Sequence, residues 1–178
     1  MQNHVCYNLN MMTNVFEKTY KILSTCTPLP VDCGQLCDGA CCKGEEDAGM
    51  LLFPGEETLF LNREGFEIIE TEYVLASGFV VKLLLCHAAC NREERPLACR
   101  IFPLLGFTTE ENKIEVRVDP RAVQVCPLAY VGLEEGVTTE FIQKVQKVFE
   151  ILMKDPLCEE FIKTMTAQLD FGGEERGG

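Results

Sequence analysis

Eight cysteines between residues 33 and 126 constrain this chain more than any other feature. The first group is Cys33, Cys37, Cys41 and Cys42, within the run CGQLCDGACCKG; the second is Cys86, Cys90 and Cys99; Cys126 stands alone before Pro127. The run from Cys33 to Gly44 holds four cysteines and three glycines. Glycine opens the backbone to positive φ, so this stretch reads as a tight loop, and Gly34, Asp38 and Gly39 argue against a helix there. A polar loop has no core in which to bury four thiols, so they require another use.

The redox setting decides which use. The chain has 11 cysteines in 178 residues, below the share of about 8–10% that marks a small secreted disulfide scaffold. Met1 to Asn10 carries no Lys or Arg, so no secretory leader is read there. No Asn-x-Ser/Thr sequon occurs, and an odd cysteine number cannot pair completely within one chain. The expectation is a cytoplasmic protein with reduced thiols, in which clustered cysteines serve as metal ligands or redox groups. Met50 to Phe53 and Val80 to Cys86 fall far short of the roughly 20 apolar residues that span a bilayer, so no membrane segment is expected. The net charge of −12 would repel a phosphate backbone or an anionic membrane surface, so nucleic acid and membrane are set aside as partners.

Three residues separate Cys33 from Cys37, Cys37 from Cys41 and Cys86 from Cys90. That spacing lets two thiolates reach one metal, and the flanking glycines let amide N–H groups turn toward bound sulfur. An all-sulfur donor set selects zinc or an iron–sulfur cluster over magnesium or calcium. The absence of convincing histidine ligands and the adjacent Cys41 and Cys42 tilt the choice toward iron–sulfur. If extended, those two side chains point in nearly opposed directions, toward two centres or opposite corners of one cluster. A plainer reading exists for Cys86 and Cys90, which bracket His87-Ala88-Ala89 and could be two small hydrophobes on one helical face. His87 reads as a neighbour of the cluster rather than a ligand, and Cys6, Cys26 and Cys158 as structural.

The rest of the chain predicts an α+β fold: one domain over 1–170, with a small β-rich, cysteine-clustered metal-binding core, an N-terminal helix and two C-terminal helices, then a disordered tail at 171–178. Val15, Phe16, Thr19, Ile22 and Leu23 form the apolar stripe of a helix over Thr13 to Thr25. Glu67 to Tyr73, Phe79 to Leu85, Leu104 to Thr108 and Ile114 to Val118 read as strands, the last two joined by a turn at Glu111-Asn112. Phe141, Ile142, Val145, Val148, Phe149 and Leu152 form a second helical stripe, and Leu157, Phe161, Ile162, Met165 and Leu169 a third. Asp155-Pro156 between them supplies an N-cap and a first helical residue.

Arg95-Pro96-Leu97-Ala98-Cys99-Arg100-Ile101-Phe102-Pro103, together with the upstream loop ending in Cys41-Cys42, resembles the YkgJ-like cysteine-cluster family, described as a zinc- or iron-chelating domain. The family pattern is a CxxCxxCC loop, a cysteine pair, RPxxCRxFP and a later cysteine, so the likeness runs from about Cys33 to Cys126. Here each gap of the loop is one residue longer, and Asn91-Arg92-Glu93-Glu94 replaces the usual aromatic position. The resemblance implies metal ligation by Cys33, Cys37, Cys41, Cys42, Cys86, Cys90, Cys99 and Cys126. Because a related domain occurs in flagellin lysine methylases, it also implies a redox or methylase-related component. Arg95 and Arg100 are candidate cofactor-binding residues, since a guanidinium offsets thiolate charge and grips an anion by a fork of donors. On the simpler reading Arg100 only neutralises the site and Arg95 pairs with Glu93, Glu94 or a carbonyl. No P-loop lysine and no Ser-His-Asp set points to a catalytic class. The alternative to an iron–sulfur or zinc protein with a redox role is a zinc-stapled module that binds a protein partner without catalysis.

Overall fold

Three apolar stripes, one near the start of the chain and two near its end, meet in one core. Phe16 and Leu23 of the first stripe are buried against Phe141, Val145, Val148, Phe149 and Leu152 of the second and Phe161 and Ile162 of the third. The computed structural model describes residues 9–42, 49–86 and 91–171. In chain order its elements are α1 (Leu9–Ile22), α2 (Gly34–Cys37), β1 (Gly49–Leu51), β2 (Glu67–Val74), β3 (Val80–Leu85), α3 (Leu97–Ile101), β4 (Leu104–Thr108), β5 (Ile114–Val118), α4 (Pro127–Tyr130), α5 (Leu133–Gly136), α6 (Thr139–Leu152) and α7 (Pro156–Phe171). The class is α+β, as the sequence predicts. No helix among the described residues is long and apolar enough to cross a membrane.

The long helices follow their signals. Thr138 caps α6 by accepting a hydrogen bond from the Phe141 amide at 3.3 Å. Asp155 caps α7, accepting from the amides of Leu157 and Cys158 at 3.1 and 3.0 Å, with Pro156 as the first helical residue. The helix runs through Phe171, one residue into the expected tail, and 172–178 lie outside the described residues. The first helix is displaced from its expected span: it begins at Leu9 and ends at Ile22 rather than Thr25. Ser24 ends it early, since both its amide and its hydroxyl donate to the Lys21 carbonyl, closing a tighter turn than the helix allows.

The strands form two antiparallel sheets. One has the order β1-β3-β2, with Gly49 opposite Leu85 and Glu67 also opposite Leu85 on the other side. The second pairs β4 with β5 from Leu104 opposite Val118 to Thr108 opposite Ile114. Two helices cover this hairpin. Gln146 of α6 donates to the Ile114 carbonyl at 3.0 Å, and the Thr108 amide donates to Thr166 of α7 at 3.3 Å. At the other end the Thr138 amide donates to the Pro28 carbonyl at 2.8 Å, fastening the segment after α1 to the start of α6.

Gly106 in β4 permits the closest of these contacts. A Cβ there would stand 2.5 Å from Cγ of Phe149, whose ring is wholly buried. Replacing a strand glycine by alanine ordinarily helps slightly by restricting the unfolded chain. Here Gly106→Ala is expected to destabilise by about 1–3 kcal/mol through overpacking. Urea unfolding with an unchanged slope and a lowered midpoint is the expected outcome.

Candidate metal centre

The first cysteine group is more ordered than a loop. Asp32 accepts a hydrogen bond from the Gly34 amide at 3.1 Å and starts a single helical turn, α2, which corrects the expectation that Gly34, Asp38 and Gly39 exclude a helix. Asp38, at φ 51°, and Gly39, at φ 65°, then end it, with both amides turned toward the Gly34 carbonyl. A tight turn over Ala40–Cys42 follows. Neither α2 nor that turn contains a buried residue, in keeping with a segment that builds no apolar core. The turn also corrects the extended picture of Cys41 and Cys42, which sit in a tight turn with their thiols interacting.

The RPLACRIFP segment supplies the facing wall. Leu97 and Ile101 of α3 are buried in the core, while Cys99, between them, is half-buried on the cysteine side. Cys126 leads into α4 and is held by its amide, which donates to the Ala122 carbonyl at 2.7 Å. A small cavity of about 50 Å³ lies between these segments, lined by Cys33, Cys37, Cys41, Cys42, Cys99 and Cys126. All six are free thiols. Cys86, just past the end of β3, does not line it, and Cys90 and His87 lie outside the described residues. Cys26 and Cys158 are buried in the core, where Cys158 donates to the Pro54 carbonyl at 3.6 Å. Cys6 also lies outside the described residues.

Three arginines border the same cavity: Arg92, Arg95 and Arg100. Arg100 is buried, and its guanidinium is committed to backbone. Nε donates to the Arg95 carbonyl at 2.9 Å and Nη2 to the Glu93 carbonyl at 2.5 Å, with the charge 4.5 Å from the Tyr20 ring centroid. It therefore folds the residues before α3 over the site, as well as adding charge to it. Arg92 performs a similar task by donating to the Cys26 carbonyl at 2.6 Å. Sequence reasoning passed over Arg92 because it lies where the chain departs from the family pattern.

The thiols feel one another. Burial pushes the Cys33 thiol up, and the neighbouring Asp32, Cys126 and Cys37 add to the shift. Burial also raises Cys126, against the pull of the Leu128 and Ala129 amides. Cys41 is pushed up first by its hydrogen bond to Cys42, while that same bond, followed by the Arg95 charge, brings Cys42 down to about 6. The Cys42 thiolate is thus favoured beside the raised thiols of Cys33, Cys41 and Cys126, whose protons a metal would displace. The soft donor set fits zinc or iron–sulfur chemistry, yet no group of three or more His, Cys, Asp or Glu side chains among the described residues is arranged to hold a metal ion.

Sequence reasoning missed a buried carboxyl beneath this site. Glu56 has no solvent exposure. Its Oε1 accepts from the Tyr20 hydroxyl at 2.5 Å and the Leu97 amide at 2.6 Å, and its Oε2 from the Phe53 amide at 3.1 Å. Burial lifts it to about 7 in spite of those three donors, and burial with the adjoining Glu56 charge pushes the Tyr20 phenol up as well. Through Leu97 this carboxyl ties α3, and so Cys99, to α1. Nothing in Glu56-Glu57 tells the two apart in sequence; the Pro54-Gly55 turn before them is the sole hint.

Compared with known proteins, the chain matches no family model, no curated protein and no solved structure.

Proposed function

We propose that this chain is a metal-binding protein whose thiolates hold an iron–sulfur cluster or zinc, with iron–sulfur as the first reading and a redox role for the bound centre. One observation carries the proposal: six free cysteines from three separate segments line a single small cavity. The ligands are drawn from Cys33, Cys37, Cys41, Cys42, Cys99 and Cys126, with Cys90 and Cys86 from the second group left to the variants described below. Arg95 and Arg100 offset the charge that several thiolates would accumulate. The likeness of RPLACRIFP to the YkgJ-like family supports the same reading, and a reducing compartment would keep the thiols available as ligands. When bound, an iron–sulfur cluster would supply one-electron transfer.

A zinc-stapled module is the second reading, favoured by the lack of any buried residue in α2 and the Ala40–Cys42 turn. A segment without its own core gains most from a metal crosslink. Metal and acid-labile sulfide analysis of protein purified without air separates the two. Iron with matching sulfide and visible absorption is expected, whereas zinc without sulfide would select the staple. The double variant Cys37→Ser/Cys126→Ser should lose the metal and Cys158→Ser should keep it. A folded wild-type protein free of both metals, or a double variant that keeps its metal, would overturn the reading. Cys86→Ser and Cys90→Ser, analysed in the same way, assign the second group.

A further inference from the structure

A larger cavity, of about 280 Å³, adjoins the thiol-lined one and shares a wall with it: Cys41, Cys42, Cys99 and Phe102 border both. Away from that wall the lining is apolar and rich in rings. Phe53, Phe149 and Phe161 are buried there, Phe53 meeting the other two edge-on with centroids 6.1 and 5.4 Å away, and Met50 and Met165 add their thioethers. Native interiors contain few voids larger than a water molecule, and atoms facing an empty one forfeit their dispersion contacts. An apolar cavity of about 150 Å³ admits benzene, so by proportion this one takes an occupant of about eleven non-hydrogen atoms, close to a pair of fused rings.

The charged groups at its edge are already engaged, which decides the polarity of that occupant. Asp119 holds Arg121 through a two-pronged contact, with Nε and Nη2 at 2.9 and 2.7 Å from its oxygens. Arg95 stands beside Cys42, whose thiol it draws toward the thiolate. An incoming carboxylate would compete with Asp119 and the thiolates, and an incoming ammonium with the two guanidiniums, so neither charge is favoured. The phenylalanine-lined interior instead offers edge and face contacts to another ring, and methionine sulfur packs well at ring edges. We propose that this cavity binds one uncharged aromatic molecule of about the size of indole, seated among Phe53, Phe149 and Phe161 with one side against the wall that holds Cys41, Cys42 and Cys99. The inference rests on the metal reading, because that wall supplies three of the proposed ligands, and it names the class of small molecule that the bound centre would meet.

Calorimetric titration of the full chain, purified without air, with indole tests this. Saturable binding of one indole per chain is expected. Indole-3-acetate should bind at least about tenfold more weakly, since its carboxylate would be buried without a partner. Octan-1-ol, with as many non-hydrogen atoms as indole, should be weaker by a similar factor, because a flexible chain loses rotamer freedom and makes no ring contacts. Leu105→Trp places an indole ring in the cavity from β4 and should weaken indole binding at least about tenfold; Ile162→Phe narrows the cavity from α7 if the first variant does not fold. Absence of saturable indole binding to folded, metal-replete wild-type protein overturns the proposal. So does equal or tighter binding of either comparison ligand, or undiminished binding by a folded, cavity-filled variant. Metal content is measured on the same samples: folded protein without metal overturns the metal reading and, with it, the placing of indole against a metal centre, whereas metal-replete protein that ignores indole overturns this inference alone.

Discussion

Glu56→Ala is expected to destabilise the fold by about 3–5 kcal/mol, since it strands three buried donors at once, each costing about 1–3 kcal/mol when left without an acceptor. Those donors are the Tyr20 hydroxyl and the amides of Phe53 and Leu97. Glu56→Gln keeps one carbonyl oxygen and should cost less. The two variants also differ from the wild type in pH dependence. Glu56 is raised from 4.5 to about 7, so between those values the native state holds a proton that the unfolded chain has released. Its contribution to stability is complete below about pH 4.5 and is lost as pH rises through about 7, a change on the order of 3 kcal/mol. Denaturation of wild type and Glu56→Gln at several pH values should show this downward trend as a difference between them. A flat difference curve would mean that Glu56 titrates alike in both states.

Phe149→Ala should be comparably damaging, by about 3–5 kcal/mol. The ring is fully buried, lies edge-on to Phe53 with centroids 6.1 Å apart, and sits directly under Gly106. Removing it vacates volume that is continuous with the cavity of about 280 Å³ lined also by Phe161 and Met165, where collapse is hindered because β4 above has no side chain at Gly106 to fall inward. Phe149→Leu should lose roughly half as much. Guanidinium unfolding gives both values, and a loss below about 1 kcal/mol for the alanine variant would show that the core relaxes around the gap.

How much of this was legible in the sequence depended on whether the relevant interactions are local. The α6 and α7 stripes and their Asp155-Pro156 junction were readable because periodicity and capping act within a few residues. The β4-β5 hairpin was readable for the same reason, with Asn112 taking the positive φ that its turn requires. The three-residue β1 was not, since its pairing with β3 joins distant parts of the chain and leaves no periodic trace. In α2, one hydrogen bond from the Gly34 amide to the Asp32 carboxylate overrode the glycine-rich composition. The cysteines showed which residue types to watch but not which segments converge: Cys126 joins the first group across most of the fold, while Cys86 does not. Glu56 was hidden altogether, because whether a carboxyl is buried is settled by packing and not by its neighbours in sequence.

The fastening of α1 to α6, by Phe16 and Leu23 in the shared core and by the Thr138 amide on the Pro28 carbonyl, has a consequence for biosynthesis. The domain resembles a clasp whose two halves are made at different times. On the ribosome, Cys33 to Cys42 emerge long before α6 and α7 exist to hold α1 in place, and such distant contacts form late in folding. The first cysteine group therefore spends its earliest moments exposed, and the cavity it lines is completed only when Cys99 and Cys126 follow.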